Sequence, residues 1–281
     1  MRNEPKLPAG QDGTVPVLAI RSPLCCRTVG ISVERESSSI AAFFDLDKTI
    51  ISRSSTLAFG RPLYEHGLIS FGDAVRSAFG QLAFRAAGAG QRRMDFVRAQ
   101  VSELCRGWQA DLVSDIVSRY LDDLILPYVY AEADRLLDAH RDAGDDVIIV
   151  SSSGQEMVGP IGAALGAAGV IATRMTVADG RYTGEIDFYA YGEAKAGGVR
   201  ELAATRGYRL ADCFAYSDSI TDLPLLGLVG HPRVVNPDRG LRRVARQRGW
   251  PVLTFAGHSR AAGAVDRMTA LSRKDCPAQR M

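Results

Sequence analysis

The sequence predicts an α/β protein with a mostly parallel sheet covered by helices on both faces. Apolar runs of strand length alternate with stretches of helical spacing, an order that is typical of parallel sheets. The strongest strand predictions are residues 40–44, 147–150 and 213–216. Each run is apolar throughout, as expected for strands buried on both faces, and polar residues follow each of them. These runs and their polar endings are the basis of the fold prediction.

Weaker signals complete the alternation. Shorter strands are predicted at 233–235 and 252–254, and helices at 130–141, 155–165, 194–205 and 241–247. Residues 174–189 predict a hairpin, because Asp179 and Gly180 are turn residues between two strand-like segments. The uncharged stretch 157–173 is rich in small residues and predicts a helix packed tightly on the sheet. It is shorter than the ~20 apolar residues of a membrane span.

The pattern also divides the chain into parts. Residues 39–53 and 127–255 form the predicted core, and 54–126 form a helical insert between its first and second strands. Residues 1–38 mix Pro, Gly, Ser and charges without periodicity, which predicts a flexible leader. Residues 256–281 are predicted to be a tail with equally weak patterning.

Composition excludes several classes of function. A net charge of +2 gives no overall case for nucleic-acid binding. The five cysteines are scattered and lack CxxC spacing, so they indicate neither a disulfide framework nor a zinc site. Reduced thiols in the cytoplasm are the simplest interpretation.

Polar residues end the three best strands, and a lysine opens the helix before the third. In open parallel sheets, ligands bind at the carboxyl ends of the strands. We therefore expect the following residues to gather there: Asp45, Asp47, Ser151, Lys195, Asp218 and Asp222.

This set of groups suits a phosphate ester. Clustered carboxylates without His or Cys favour a hard cation, most simply Mg²⁺. Lys195, the Ser151 hydroxyl and the backbone N–H of Ser152 can hold phosphate oxygens. Asp45 can attack phosphorus to form an acyl phosphate. Asp47 can protonate the leaving alcohol and then activate water.

The same residues resemble the motifs of the haloacid dehalogenase superfamily. Residues 45–49, DLDKT, resemble its DxDx[TV] signature, and Ser151 resembles the Ser or Thr of the second motif. Lys195 resembles the third motif, and residues 217–222, SDSITD, resemble the fourth, GDxxxD. All four occur in order, and the matching pattern covers roughly residues 40–255, which makes the resemblance specific.

The resemblance implies a Rossmann-like core with a helical C1-type cap after the first strand, as in the phosphoserine-phosphatase-like subfamily IB. It implies that Asp45 is nucleophile and metal ligand, and that Asp47 is general acid/base and gives its carbonyl to Mg²⁺. Ser151 and Lys195 would hold phosphate. Asp218 would bind the metal, and Asp222 would orient its waters or Lys195.

Specificity is where the sequence departs from phosphoserine phosphatases. Ser54 stands where those enzymes usually carry a Glu for the substrate amine, and Gln100, with Arg98 nearby, falls where a cap Arg meets the substrate carboxylate. We therefore expect Ser54, Arg98 and Gln100 to contribute to specificity, and phosphoserine not to be the best substrate.

The leading interpretation is a Mg²⁺-dependent phosphatase acting on a small phosphorylated metabolite, with no nucleic-acid partner and no membrane span. Phosphotransfer to an acceptor other than water is a second interpretation. A third is a regulatory or interaction protein, of the type named for morphological differentiation, on the same scaffold. The sequence leaves the oligomeric state open.

Overall fold

A seven-stranded sheet organises the part of the chain that the computed structural model describes, residues 40–69 and 102–257. Its strands are β1 Ala41–Phe44, β2 Asp146–Gly154, β3 Gly169–Ala178, β4 Arg181–Phe188, β5 Phe214–Ser217, β6 His231–Val235 and β7 Val252–Leu253. Their order is β4-β3-β2-β1-β5-β6-β7, and every neighbouring pair is parallel except β3 with β4. The predicted α/β class is confirmed.

Helices connect most of these strands. In the same part of the chain they include α1 Ser55–Ala58, α2 Gly60–Glu65, α3 Ala110–Leu124, α4 Ala131–Asp142, α5 Gln155–Ala164, α6 Glu193–Arg206, α7 Leu223–Leu226 and α8 Arg239–Arg248, with 3₁₀ turns at Leu126–Tyr128 and Ile220–Asp222. The four helices predicted for the core are found within two residues of their predicted bounds. No helix within the described ranges is long and apolar enough to cross a membrane.

The central strand β1 shows how the sheet is covered on both faces. Successive side chains of a strand point to opposite faces. Ala42 and Phe44 accordingly belong to one apolar cluster, which includes residues of α3, α4 and α5. Ala41 and Phe43 belong to another, which includes residues of α6, α7 and α8. A strand buried on both sides must be apolar throughout, as the 40–44 run predicted.

The small-residue stretch 157–173 differs from its prediction. Helix α5 ends at Ala164, and β3 begins at Gly169 and pairs in parallel with β2. The predicted helix is therefore wrong over its last residues, because Val170 and Ile171 are β-branched and complete the sheet. Close packing of the helix is confirmed: a Cβ on Gly162 would lie 2.6 Å from Val170 Cγ1.

The predicted hairpin is formed by β3 and β4. Val177 pairs with Tyr182, and the turn residues Asp179 and Gly180 have φ values of +50° and +73°. Two positive φ angles in succession match a type I′ turn. The preceding segment 107–110 joins this hairpin, since the N–H of Ala110 donates to the Gly180 carbonyl over 3.0 Å.

The described residues of the insert, 54–69 and 102–126, contain α1, α2 and α3. Val117 and Leu121 of α3 lie in the same apolar cluster as Val158 of α5. That this insert acts as a cap stays a prediction. At the other end of the described chain, the Gly257 carbonyl accepts the N–H of Ala131 at the start of α4.

Candidate active site

Asp45 follows β1 at the centre of the sheet. Its N–H donates to the carbonyl of Tyr216 on β5 over 2.9 Å, and its Oδ2 accepts the Thr49 hydroxyl at 3.2 Å. The chain then turns sharply, because the N–H groups of Ile50 and Ile51 both donate back to the Leu46 carbonyl. Burial of these three apolar side chains anchors the turn. Asp45 is thereby fixed at the carboxyl edge of the sheet.

Lys195 lies between two carboxylates that are distant in sequence. Its Nζ is 2.6 Å from Asp45 Oδ1 and 2.7 Å from Asp222 Oδ2. The lysine side chain is only 3% exposed, so both contacts are screened little by water. The Ser217 hydroxyl donates to the same Asp222 oxygen over 2.7 Å. Helix α6 thus brings Lys195 to the predicted nucleophile Asp45, which follows β1, and to Asp222, in the 3₁₀ turn after β5.

Burial and mutual repulsion raise the pKa values of acids in this cluster. Burial raises the pKa of Asp45, the Lys195 ammonium opposes this, and the charges of Asp222 and Asp218 add to it. Burial would lower the pKa of Lys195, but Asp45 and Asp222 outweigh it and raise that pKa. The pKa of Asp218 rises to about 6, chiefly through burial, with Lys48 opposing and Asp222 adding to the rise. Three acids, Asp45, Asp218 and Asp222, share this cluster with one lysine, so in their ionised forms they carry more negative charge than Lys195 balances.

Asp47 is held by the start of the insert. Its Oδ1 accepts the N–H of Ser55 over 2.9 Å, and its Oδ2 accepts the Ser54 hydroxyl over 3.3 Å. Burial raises the pKa of Asp47, while these hydrogen bonds oppose the rise. A raised pKa helps a carboxyl group keep the proton that a general acid must deliver. Ser54, predicted as a specificity residue, here contacts Asp47.

The side chain of Ser151 is buried, whereas that of Ser152 is exposed. Ser151 is buried near the carboxyl end of β2, and its Oγ accepts the N–H of Ser153 over 3.2 Å. The side chain of Ser152 is exposed, and its carbonyl accepts the Thr173 hydroxyl over 2.7 Å. Helix α5 begins directly after β2, so backbone N–H groups are available beside Ser151.

A hydroxyl cluster next to these residues was not predicted. Ser153 Oγ lies 3.0 Å from Ser55 Oγ and 3.2 Å from Thr56 Oγ1. From the sequence, Ser153 is expected to be a capping or loop residue, and no role is predicted for Ser55 or Thr56. Only their spatial meeting, across 98 positions of sequence, distinguishes them. Arg98 and Gln100 lie outside the described residues.

The donor set fits a hard cation. The described ranges contain no group of three or more His, Cys, Asp or Glu side chains placed to hold a metal. The predicted set needs only two carboxylates, Asp45 and Asp218, and the carbonyl of Asp47. Burial raises the pKa of both carboxylates, nearby acids add to the rise, and a bound cation would favour their ionised forms. Oxygen donors of this kind suit Mg²⁺.

Several known proteins have sequences similar to this one. A protein named "Probable phosphatase" from Mycobacterium tuberculosis is 53% identical over 232 residues, covering 83% of this chain and 80% of the relative. The "Inhibition of morphological differentiation protein" of Streptomyces azureus is 55% identical over 216 residues, covering 76% and 78%. A phosphoserine phosphatase of M. tuberculosis is 33% identical over 226 residues, covering 79% and 73%.

Solved structures agree with the fold. A Bordetella pertussis protein of unknown function superposes with a TM-score of 0.65 at 29% identity, covering 76% of this chain and 97% of its own. A phosphoserine phosphatase in its apo form gives 0.52 at 20% identity, covering 73% and 90%, which shows a shared fold. The family model of haloacid dehalogenase-like hydrolases matches residues 42–227, from β1 to the end of α7. The chain belongs to the haloacid dehalogenase-like hydrolase family.

Proposed function

We propose that this protein is a magnesium-dependent phosphatase that hydrolyses a small phosphate monoester through a phospho-aspartate on Asp45. The observation that carries the proposal is the contact of Lys195 Nζ with both Asp45 and Asp222, at 2.6 and 2.7 Å, in a buried position. A buried lysine beside a strand-end carboxylate is suited to a phosphate dianion that meets that carboxylate. Relatives named as phosphatases support the same class of reaction.

The first half of the reaction is phosphoryl transfer to Asp45. A carboxylate oxygen of Asp45 forms a bond to phosphorus while the bond from phosphorus to the leaving oxygen breaks. The leaving oxygen keeps the electron pair and takes the proton of Asp47. Ser151 and Lys195 hold the phosphate oxygens during the transfer. The products are a free alcohol and a phospho-aspartate.

The second half regenerates the enzyme. The Asp47 carboxylate, now deprotonated, takes a proton from water as the water oxygen attacks phosphorus. The bond between phosphorus and Asp45 breaks, inorganic phosphate leaves, and Asp47 is again protonated. Asp45, Asp218 and the Asp47 carbonyl would hold Mg²⁺, which when bound supplies positive charge to the phosphate oxygens. Water as the acceptor distinguishes this route from phosphotransfer to another alcohol.

Substrate choice is assigned to the insert. The groups of the core are committed to phosphate, metal and proton transfer, so recognition of the leaving group falls to residues that cover the site. Ser54, Arg98 and Gln100 remain the proposed specificity residues, with the insert 54–126 acting as a cap. Because Ser54 cannot provide the charge of a Glu to an amine, we expect phosphoserine to rank below another small cytoplasmic phosphate ester.

The experiment is a screen of purified protein with Mg²⁺ against a panel of phosphorylated metabolites, measuring released phosphate. The Asp45→Asn variant is the matched control, because it keeps the size of the side chain and loses the attacking charge. We expect the wild type to hydrolyse at least one monoester, and we expect the variant to hydrolyse it several orders of magnitude more slowly. Equal activity of the two proteins would exclude the phospho-aspartate route.

The name of the Streptomyces relative favours a second candidate, a regulatory function. We propose that any such effect of this chain depends on the same catalytic groups, since Lys195 contacts both Asp45 and Asp222. Expression of the wild-type and Asp45→Asn chains in a Streptomyces host separates the alternatives. An effect on differentiation that survives in the variant would support an interaction role that does not require catalysis.

A further inference from the structure

Three hydroxyl groups meet between the start of the insert and the end of β2. Ser153 Oγ lies 3.0 Å from Ser55 Oγ and 3.2 Å from Thr56 Oγ1. Ser55 is fully buried and Ser153 is 8% exposed. Buried hydroxyl groups cost free energy unless they are hydrogen-bonded, so these contacts hold the two segments in one relative position.

Each side of this contact continues to a residue of the candidate active site. On one side, the N–H of Ser153 donates to Ser151 Oγ over 3.2 Å. On the other, the N–H of Ser55 donates to Asp47 Oδ1 over 2.9 Å. A short path of hydrogen bonds therefore joins the proposed phosphate-binding hydroxyl to the proposed general acid, which lie on segments about a hundred positions apart.

We propose that Ser153 is a positioning residue for general-acid catalysis: through the Ser55 and Thr56 hydroxyls it fixes where Asp47 stands relative to the phosphate held at Ser151. The proposal rests on the proposed phosphatase function. Ser153 itself has no role in bonding to substrate here. Its two hydroxyl contacts, with Ser55 and Thr56, set the distance between the carboxyl group that gives the proton and the oxygen that receives it.

The consequence for the reaction depends on the leaving group. When the bond from phosphorus to oxygen breaks, an alkoxide leaving group needs the Asp47 proton, whereas p-nitrophenolate is stable enough to leave without it. General-acid catalysis contributes about 10²- to 10⁴-fold, and small displacements of the acid lose much of it. Misplacing Asp47 should therefore slow the cleavage of alkyl esters and leave aryl esters with good leaving groups nearly unaffected.

The test compares kcat/KM for benzyl phosphate and p-nitrophenyl phosphate with Mg²⁺ present. This parameter covers the steps up to departure of the leaving group, so hydrolysis of the shared phospho-aspartate does not enter. The variants are Ser153→Ala, Ser55→Ala and the double variant, with Asp47→Asn as the reference for complete loss of the acid. Tyr216→Phe is the matched control, because it removes a buried hydroxyl whose partner is His140 Nε2, on α4.

We expect Ser153→Ala to lower kcat/KM for benzyl phosphate by about 10- to 100-fold and for p-nitrophenyl phosphate by less than about threefold. Ser55→Ala should have a smaller effect of the same kind, because the Thr56 contact remains. The double variant should lose little more than Ser153→Ala, since both act on one path. Tyr216→Phe should change kcat/KM for both substrates by a common factor.

Equal losses for the two esters in Ser153→Ala, or no loss for benzyl phosphate, would overturn the inference while the phosphatase function stands. Ser55→Ala serves the same comparison if Ser153→Ala does not fold, as judged by thermal unfolding. A wild type that cleaves p-nitrophenyl phosphate but not benzyl phosphate would show that no effective general acid acts, and would also overturn it. A wild type that cleaves neither ester nor any phosphorylated metabolite would overturn the proposed function first.

Discussion

The Ser217 hydroxyl donates to Asp222 Oδ2 over 2.7 Å, on the same oxygen that accepts Lys195 Nζ. Asp222 is therefore held from the side of β5 while it holds the lysine from the side of α6. The family resemblance implied either of two roles for Asp222, orienting the waters of the metal or orienting Lys195. The contact over 2.7 Å favours the second role.

This contact predicts unequal effects at Asp222 and Ser217. Asp222→Asn removes the charge that balances Lys195, and kcat for p-nitrophenyl phosphate should fall roughly 10- to 100-fold, somewhat less than for loss of a group that contacts the reacting atoms. Ser217→Ala removes one hydrogen bond to a charged group, which lowers the free energy of unfolding by about 1.5–3 kcal/mol at most. It leaves Lys195 paired with Asp222. Its kcat should fall less. A larger loss in Ser217→Ala than in Asp222→Asn would contradict the assigned role.

A second prediction concerns the free energy of unfolding. Lys195→Met leaves two buried carboxylates without their cation, and breaking a buried pair in this way costs about 3–5 kcal/mol. Adding Asp45→Asn removes one of the stranded charges, so the double variant should be more stable than Lys195→Met alone. Urea unfolding in EDTA of the wild type, both single variants and the double variant measures the coupling. If the losses of unfolding free energy in the two single variants added up to that of the double variant, the contact of Lys195 with Asp45 would not contribute to stability.

The groups in this ion pair could be predicted because each stands at the end of a regular element. Asp45 ends an apolar strand, Lys195 opens a helix, and Asp222 follows the apolar run that became β5. Parallel strands bring such ends to one edge of the sheet whatever the intervening sequence. Local pattern and topology together therefore place these residues, and the motif spacing adds chemical identity.

The hydroxyl contact of Ser55 with Ser153 had no such signal. Its geometry depends on how the turn after Asp45 packs against the end of β2. Neither the periodicity nor the composition of the sequence predicts this packing. The start of β3 was missed for a related reason, because a short run of small and apolar residues is compatible with either helix or strand. Val170 pairs with Ile149 of the neighbouring strand β2, and this pairing makes the segment a strand.

A third prediction tests the metal. Activity should require Mg²⁺, chelation with EDTA should abolish it, and Ca²⁺ should support it poorly, because Ca²⁺ prefers more ligands and longer bonds. Asp218→Asn should raise the Mg²⁺ concentration needed for half-maximal activity and reduce the thermal stabilisation that Mg²⁺ gives. Asp138→Asn, on the surface of α4, is the control for loss of a carboxylate elsewhere. Full activity in EDTA would contradict the site.

The last prediction concerns the pH dependence of stability without metal. The pKa of Asp218 is raised to about 6 in the folded protein, chiefly by burial, against about 3.9 for an unperturbed Asp. The folded state therefore binds this proton more tightly than the unfolded state does. The free energy of unfolding that Asp218 contributes is highest below about pH 4 and is lost as the pH rises to about 6.

Urea unfolding in EDTA between pH 4 and 7, on the order of one measurement per half unit, checks this dependence. Burial also raises the pKa values of Asp45 and Asp47, and these groups act with the same sign. Asp218→Asn should consequently flatten the decline without removing it, and it should be more stable than the wild type near pH 7 in EDTA. Mg²⁺ should make the wild type the more stable protein, because the ion binds the Asp218 carboxylate more strongly than the amide of the variant. If the free energy of unfolding in EDTA declined with pH equally in the two proteins, the protonation of Asp218 would not contribute to the decline.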